Sequence, residues 1–125
     1  MPVIRHTESR RTETPNAIMT TLASPTLGRA ERPVWRVDMR PGQAGPAHVF
    51  DLEQVWTALD GGAIVELGGE TFVIGPGDTV VMPGAVPRRV VADPEVGFAA
   101  IVTAPAGARA TLVDGTDRGV PAWIA

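Results

Sequence analysis

GQAGPAHVFDLEQVWTALDG (residues 42–61) and GDTVVMPGAVPR (residues 77–88) carry the reading of this chain. Each opens on a glycine just after a proline, Pro41-Gly42 and Pro76-Gly77. The first closes on Asp60-Gly61-Gly62, and Pro83-Gly84 interrupts the second. Glycine and proline at these points mark turns, so the residues between them read as short strands. Side chains alternate along a strand. His48 and Phe50 therefore share one face, as do Gln54, Trp56 and Ala58.

The same pattern extends outward. Residues 17–24 (AIMTTLAS) form a first predicted strand, and residues 24–33, with Pro25, Gly28 and Pro33, a loop. Val34–Met39 alternates, with Trp35, Val37 and Met39 on one face and Arg36 and Asp38 on the other. Residues 55–59 form an apolar run. Ala63–Leu67 and residues 71–74 flank Gly68-Gly69, a pair suited to a two-residue I′ or II′ hairpin turn. Thr79–Met82, Arg88–Ala92 and residues 96–103 are further strands. Residues 104–125 read as loop, with Trp123 and Ile124 docking the end of the chain onto the body. No stretch keeps a 3.6-residue apolar period, so the expectation is an all-β sandwich or barrel of about eight strands.

The chain has 125 residues, which suits one domain, here residues 16–125 preceded by a polar arm at residues 1–15. A chain of this size buries roughly two thirds of its unfolded surface, enough for a real core. The arm holds Arg5, His6, Arg10 and Arg11, interrupted by Glu8 and Glu13. It reads as solvated, and His6 is given no function. The net charge is −3, so no basic field for nucleic acid exists. There is no cysteine, hence no disulfide and no thiolate ligand or nucleophile. There is also no lysine and no tyrosine, which removes Schiff-base chemistry and phenolic acid–base chemistry. No apolar run reaches the ~20 residues of a membrane span, and no apolar signal core begins the chain. A cytoplasmic protein is expected.

The two quoted stretches together resemble the cupin family, whose motifs are Gly-x5-His-x-His-x3,4-Glu-x6-Gly and Gly-x5-Pro-x-Gly-x2-His-x3-Asn. Gly42, His48, Gly61, Gly77 and Pro83 match. Phe50 stands at the second histidine, Gln54 at the glutamate, Ala85 at a glycine, Arg88 at the last histidine and Ala92 at the asparagine. The resemblance spans residues 34–103 and implies a jelly-roll barrel, a double-stranded β-helix, with its site inside. It also implies that His48, Phe50, Gln54 and Arg88 converge there.

That set does not look like a metal site. It offers one imidazole, one amide and a guanidinium without a lone pair, where iron, zinc or manganese takes three or four ligands. A fixed cation ~5 Å from a divalent ion would oppose it by ~7 kcal/mol at an effective dielectric near 20. The expectation is therefore no cofactor. Arg88 is read as an oxyanion holder and His48 as a general acid or base, the two catalytic candidates. Gln54 is read as an orienting amide, and Phe50 and Trp56 as flat apolar walls for the substrate. Such a pocket suits proton transfer beside a carbonyl, as in an isomerase, cyclase or lyase. The family includes polyketide-tailoring proteins, and the Ala-, Arg-, Gly- and Pro-rich composition is that of a high-GC genome, whose association with secondary metabolism makes such a role attractive. Two alternatives stay open. One is a non-catalytic cupin that binds an apolar ligand. The other is a metal enzyme in which Asp51 or Glu53 completes a His/Gln site. A structural role is also open for each residue, and in a shifted register Arg89 would point inward instead of Arg88. Asp78 is read as a turn residue bonded to backbone. The expected partner is a small oxygenated or ring-bearing molecule. A homodimer is expected because sheet edges need covering, through the Trp35/Val37/Met39 face or the arm.

Overall fold

A computed structural model describes residues 3–125, so Met1 and Pro2 of the expected arm lie outside the described residues. After a 3-10 turn at His6–Glu8 come twelve strands. These are β1 (Arg10–Glu13), β2 (Ile18–Ala23), β3 (Val34–Met39), β4 (His48–Phe50), β5 (Gln54–Gly61), β6 (Ala63–Leu67), β7 (Glu70–Ile74), β8 (Thr79–Met82), β9 (Arg88–Ala92), β10 (Phe98–Thr103), β11 (Ala110–Leu112) and β12 (Asp117–Gly119). They form two six-stranded sheets, ordered β1-β2-β3-β10-β5-β8 and β12-β11-β4-β9-β6-β7. Every recorded strand pairing is antiparallel. The all-β double-sheet barrel expected from the turn spacing is what forms. No helix among the described residues is long and apolar enough to cross a membrane.

Local chemistry sets the register. Gly68 and Gly69 hold φ of 56° and 86°, the two positive values of a type I′ turn, and join β6 to β7. In β3, Trp35, Val37 and Met39 are buried while their neighbours are partly exposed, as the alternation required. That face points into the barrel core, so it cannot be a contact for a partner; an apolar stripe looks the same in sequence whichever side covers it. In β9 the buried residues are Arg88, Val90 and Ala92. Arg88 is therefore the inward arginine, and Arg89 points out to Glu66 at 3.3 Å.

Two segments carry more structure than their sequence suggested. The arm contributes β1, which pairs with β2 and extends the first sheet. The tail, read as loop, contributes β11 and β12, which extend the second sheet from β4. Both are three or four residues long, too short to display a period. The tail ends with Ile124 fully buried and Thr21 donating to the Trp123 carbonyl at 2.9 Å.

Candidate functional site

A cavity of about 640 Å³ has in its lining Gln54, at the start of β5, and Arg88, at the start of β9. All five residues singled out in the sequence line it: His48, Phe50, Gln54, Trp56 and Arg88. The two stretches are clamped by backbone. His48 is paired with Arg88 in the β4–β9 register, and Gln54 with Met82 in the β5–β8 register. The Ala85 N–H donates to the Phe50 carbonyl at 2.7 Å. Ala85 holds φ of 65°, a left-handed conformation that an L-residue with a Cβ rarely adopts. Ala85 stands where the family motif has glycine, so the turn keeps its geometry at the cost of local strain.

Arg88 is 2% exposed. Its Nε donates to the Val86 carbonyl at 3.0 Å and its Nη2 to the Pro83 carbonyl at 2.6 Å. Its Nη1 rests 3.8 Å from the Met82 sulfur, a weak acceptor. The guanidinium carbon lies 5.7 Å from the centre of the Phe50 ring, a cation–π contact. No carboxylate faces it within ion-pair distance among the described residues. Burial without a counter-ion pushes its pKa down to about 10.

His48 sits edge-on to the Phe50 ring, with centroids 5.2 Å apart. Its Nδ1 lies 2.8 Å from the Pro46 carbonyl. A carbonyl only accepts, so Nδ1 carries the proton and the neutral ring keeps its lone pair on Nε2. Burial lowers the pKa of His48. The Pro46 bond opposes that shift, and the nearby Arg88 charge adds to it. At neutral pH the ring is an uncharged base.

Gln54 is 1% exposed, and its Oε1 accepts from the Trp56 indole N–H at 3.0 Å. The indole can only donate, which assigns oxygen and nitrogen in the amide. Among the described residues, the Gln54 Nε2 is left as a buried donor without a partner. Trp56 in turn stacks on Phe98, with centroids 6.5 Å apart and planes within 7°. The walls are thus fixed flat surfaces.

The cupin domain family model matches residues 35–103, more than half of the chain. The chain belongs to the cupin family. No curated protein matches it. Several solved structures share its fold. The polyketide cyclase RemF from Streptomyces resistomycificus gives a TM-score of 0.71 at 22% identity, over 84% of this chain and 79% of that one. KdgF from a Halomonas species gives 0.68 at 23% identity, over 81% of this chain and 90% of that one. An RmlC-like cupin from Shewanella frigidimarina gives 0.68 at 20% identity, over 85% and 96%. At these identities the likeness is one of fold.

The donors of this cupin do not fit the metal its family motif implies. Phe50 and Arg88 occupy two ligand positions, one unable to coordinate and the other cationic. The Gln54 oxygen is already bonded to Trp56. Among the described residues, no three His, Cys, Asp or Glu side chains converge. Neither carboxylate weighed for a completed site lines the cavity. The Asp51 carboxylate accepts from the Arg109 N–H at 2.8 Å, and Glu53 is exposed. Asp78 accepts from the Gly75 N–H at 2.9 Å and closes a turn.

Three features of the site lay beyond the sequence reading. The Met82 sulfur lies beneath the guanidinium, and the Pro46 carbonyl sets the His48 tautomer. The cavity lining also takes in residues 14–17, between β1 and β2, and Arg118 and residues 120–123 of the tail, of which Pro15, Arg118, Val120 and Ala122 are exposed. Of these only Trp123 carried a signal, as the one aromatic residue of the tail.

Proposed function

We propose that this cupin is a cytoplasmic small-molecule enzyme that moves protons beside a carbonyl, using His48 and Arg88 and no metal. The supporting observation is the pairing of two groups on one cavity wall. One is a neutral imidazole whose tautomer leaves Nε2 free. The other is a buried cation with no counter-ion. In the step proposed, the Cα–H bond of a ketone breaks and its proton goes to His48 Nε2. The bonding electron pair moves onto the carbonyl oxygen as an enolate, which the buried guanidinium stabilises. The imidazolium then returns a proton to the same carbon, to another carbon, or to a leaving oxygen. These outcomes correspond to exchange, isomerisation and dehydration. Ring closure of a polyketide also begins with a carbon nucleophile beside a carbonyl. The shared fold with a polyketide cyclase agrees with this chemistry and supports, as part of the proposal, a role in secondary-metabolite biosynthesis.

Exchange of the α-protons of 2-tetralone in D2O, followed by NMR, tests the reading. Wild-type protein should accelerate exchange, and His48→Ala and Arg88→Met should each abolish the acceleration. Binding of the ketone without exchange, unaffected by His48→Ala, would make the chain a ligand-binding cupin instead.

We also propose a homodimer. The free edges β7 and β8 flank a groove at which Phe72, Val73 and Val81 stay exposed, and an uncovered apolar edge favours self-association. Sedimentation as a monomer at micromolar concentration removes this proposal.

A further inference from the structure

The chain carries a net charge of −3 and 14 acidic residues, yet no Asp or Glu lines the cavity. Its charged lining residues are Arg88 within and Arg118 at the mouth, with His48 as a third titratable group. Arg118 lies on β12 and is exposed. The adjacent Asp117 is engaged by Arg109 at 2.9 Å, and Arg118 enters no ion pair among the described residues. Asp114 feels the field of Arg118, but the two are not in ion-pair contact. The mouth therefore presents a cation that the fold itself does not use. Between the two arginines the walls are apolar, with Trp35, Phe50, Trp56, Val90, Leu112 and Trp123 among them.

We propose that the cavity selects an anionic ligand: a flat, largely apolar ring system with a carbonyl at one end and a carboxylate at the other. Arg118 is its specificity-determining residue. The orientation rests on the function proposed above. The carbonyl takes the inner end, where Arg88 holds the developing oxyanion and His48 reaches the adjacent C–H. The carboxylate remains at the mouth, where it keeps part of its hydration and meets Arg118. A carboxylate at the inner end would occupy the oxyanion position, and the carbon beside it carries a far less acidic C–H, or none where it belongs to an aromatic ring. The unpartnered Gln54 Nε2 lies on the inner wall, a donor for an oxygen of the ligand at that end. An exposed ion pair adds little affinity, so the effect is one of selection and encounter rather than of tight binding.

All three tryptophans of the chain line the cavity, so their fluorescence reports occupancy directly. Full-length protein is titrated with 2-tetralone and with its 6-carboxylate at low salt. The carboxylate should bind about fivefold more tightly, the upper range for an exposed pair. That preference should disappear in Arg118→Gln and in ~1 M salt, where screening reaches ~3 Å. It should persist in Arg32→Gln, which makes the same charge change on an exposed residue away from the cavity. Equal binding of the two probes, a preference that survives Arg118→Gln, or no binding of either probe overturns the inference. Failure of the proposed function reads out separately. In that case wild type prefers the carboxylate and loses the preference in Arg118→Gln, but does not exchange the α-protons of 2-tetralone.

Discussion

A guanidinium that is 2% exposed, surrounded by carbonyl oxygens and a thioether instead of a carboxylate, is poorly solvated. Burial lowers its pKa to about 10, well below that of an exposed arginine, which corresponds to ~3 kcal/mol against the charged form. Removing the cation relieves that penalty but leaves two part-buried carbonyl oxygens without a donor, at about 1–3 kcal/mol each, with part burial favouring the low end. The two effects nearly cancel. Arg88→Met is therefore expected to melt within about 4 °C of wild type by calorimetry while losing turnover. A far larger fall in Tm would make Arg88 a structural strut. His48 gives a second test at this scale. Burial lowers its pKa in the folded state, so on acidification the unfolded chain takes up the proton first. Stability contributed by the neutral ring is present above pH 6.5 and is lost as pH falls from 6.5 toward the folded value. Urea denaturation should show wild type losing stability over that window, and His48→Gln should flatten the slope. For the proposed reaction, in which the neutral ring acts as base, kcat/KM should rise through the lowered His48 pKa and level off below the usual histidine value.

Strands and turns carry the next layer. Gly61 ends β5 with φ of 69°, and a Cβ there would overlap the Gly97 carbonyl oxygen. Gly77 also has positive φ, at 88°, but nothing lies within 4 Å of the position its Cβ would take. Both glycines stand in the motifs, yet their physical roles differ: one permits contact between two backbones, the other only a turn. Gly77→Ala should cost about 1 kcal/mol. Gly61→Ala should cost well over 3 kcal/mol or leave the chain unfolded, since backbone cannot move aside cheaply. Chemical denaturation of the pair checks this, and equal losses would refute the distinction. Strand positions with a clear period were legible. Trp35, Val37 and Met39 alternate with polar neighbours, and Gly68-Gly69 has one good solution as a hairpin. The strands β1, β11 and β12 were not legible, because three or four residues cannot show alternation, and β11 also depends on β4, some sixty residues earlier in the chain.

At the scale of the whole molecule, the last residues hold the barrel closed. Ile124 is fully buried, Thr21 donates to the Trp123 carbonyl at 2.9 Å, and Thr26 donates to the Ala125 carbonyl at 2.7 Å. Deleting residues 123–125 removes one buried aliphatic side chain and strands the Thr21 hydroxyl. That should lower unfolding free energy by about 3–5 kcal/mol in a urea titration and widen the mouth of the cavity. A truncated chain as stable as wild type would show that the tail is merely laid against the body. Sequence alone determined the all-β barrel, the two motifs and the five residues at their heart, because glycine and proline spacing and period-two alternation are local properties. It left open which of Arg88 and Arg89 points inward and which face of β3 meets the core. It was silent on the Met82 sulfur under the guanidinium and on Arg118 at the mouth. Those were decided by the tertiary structure. Register across sheets, burial of a charge and the convergence of residues far apart in the chain depend on contacts that exist only once the two sheets have packed.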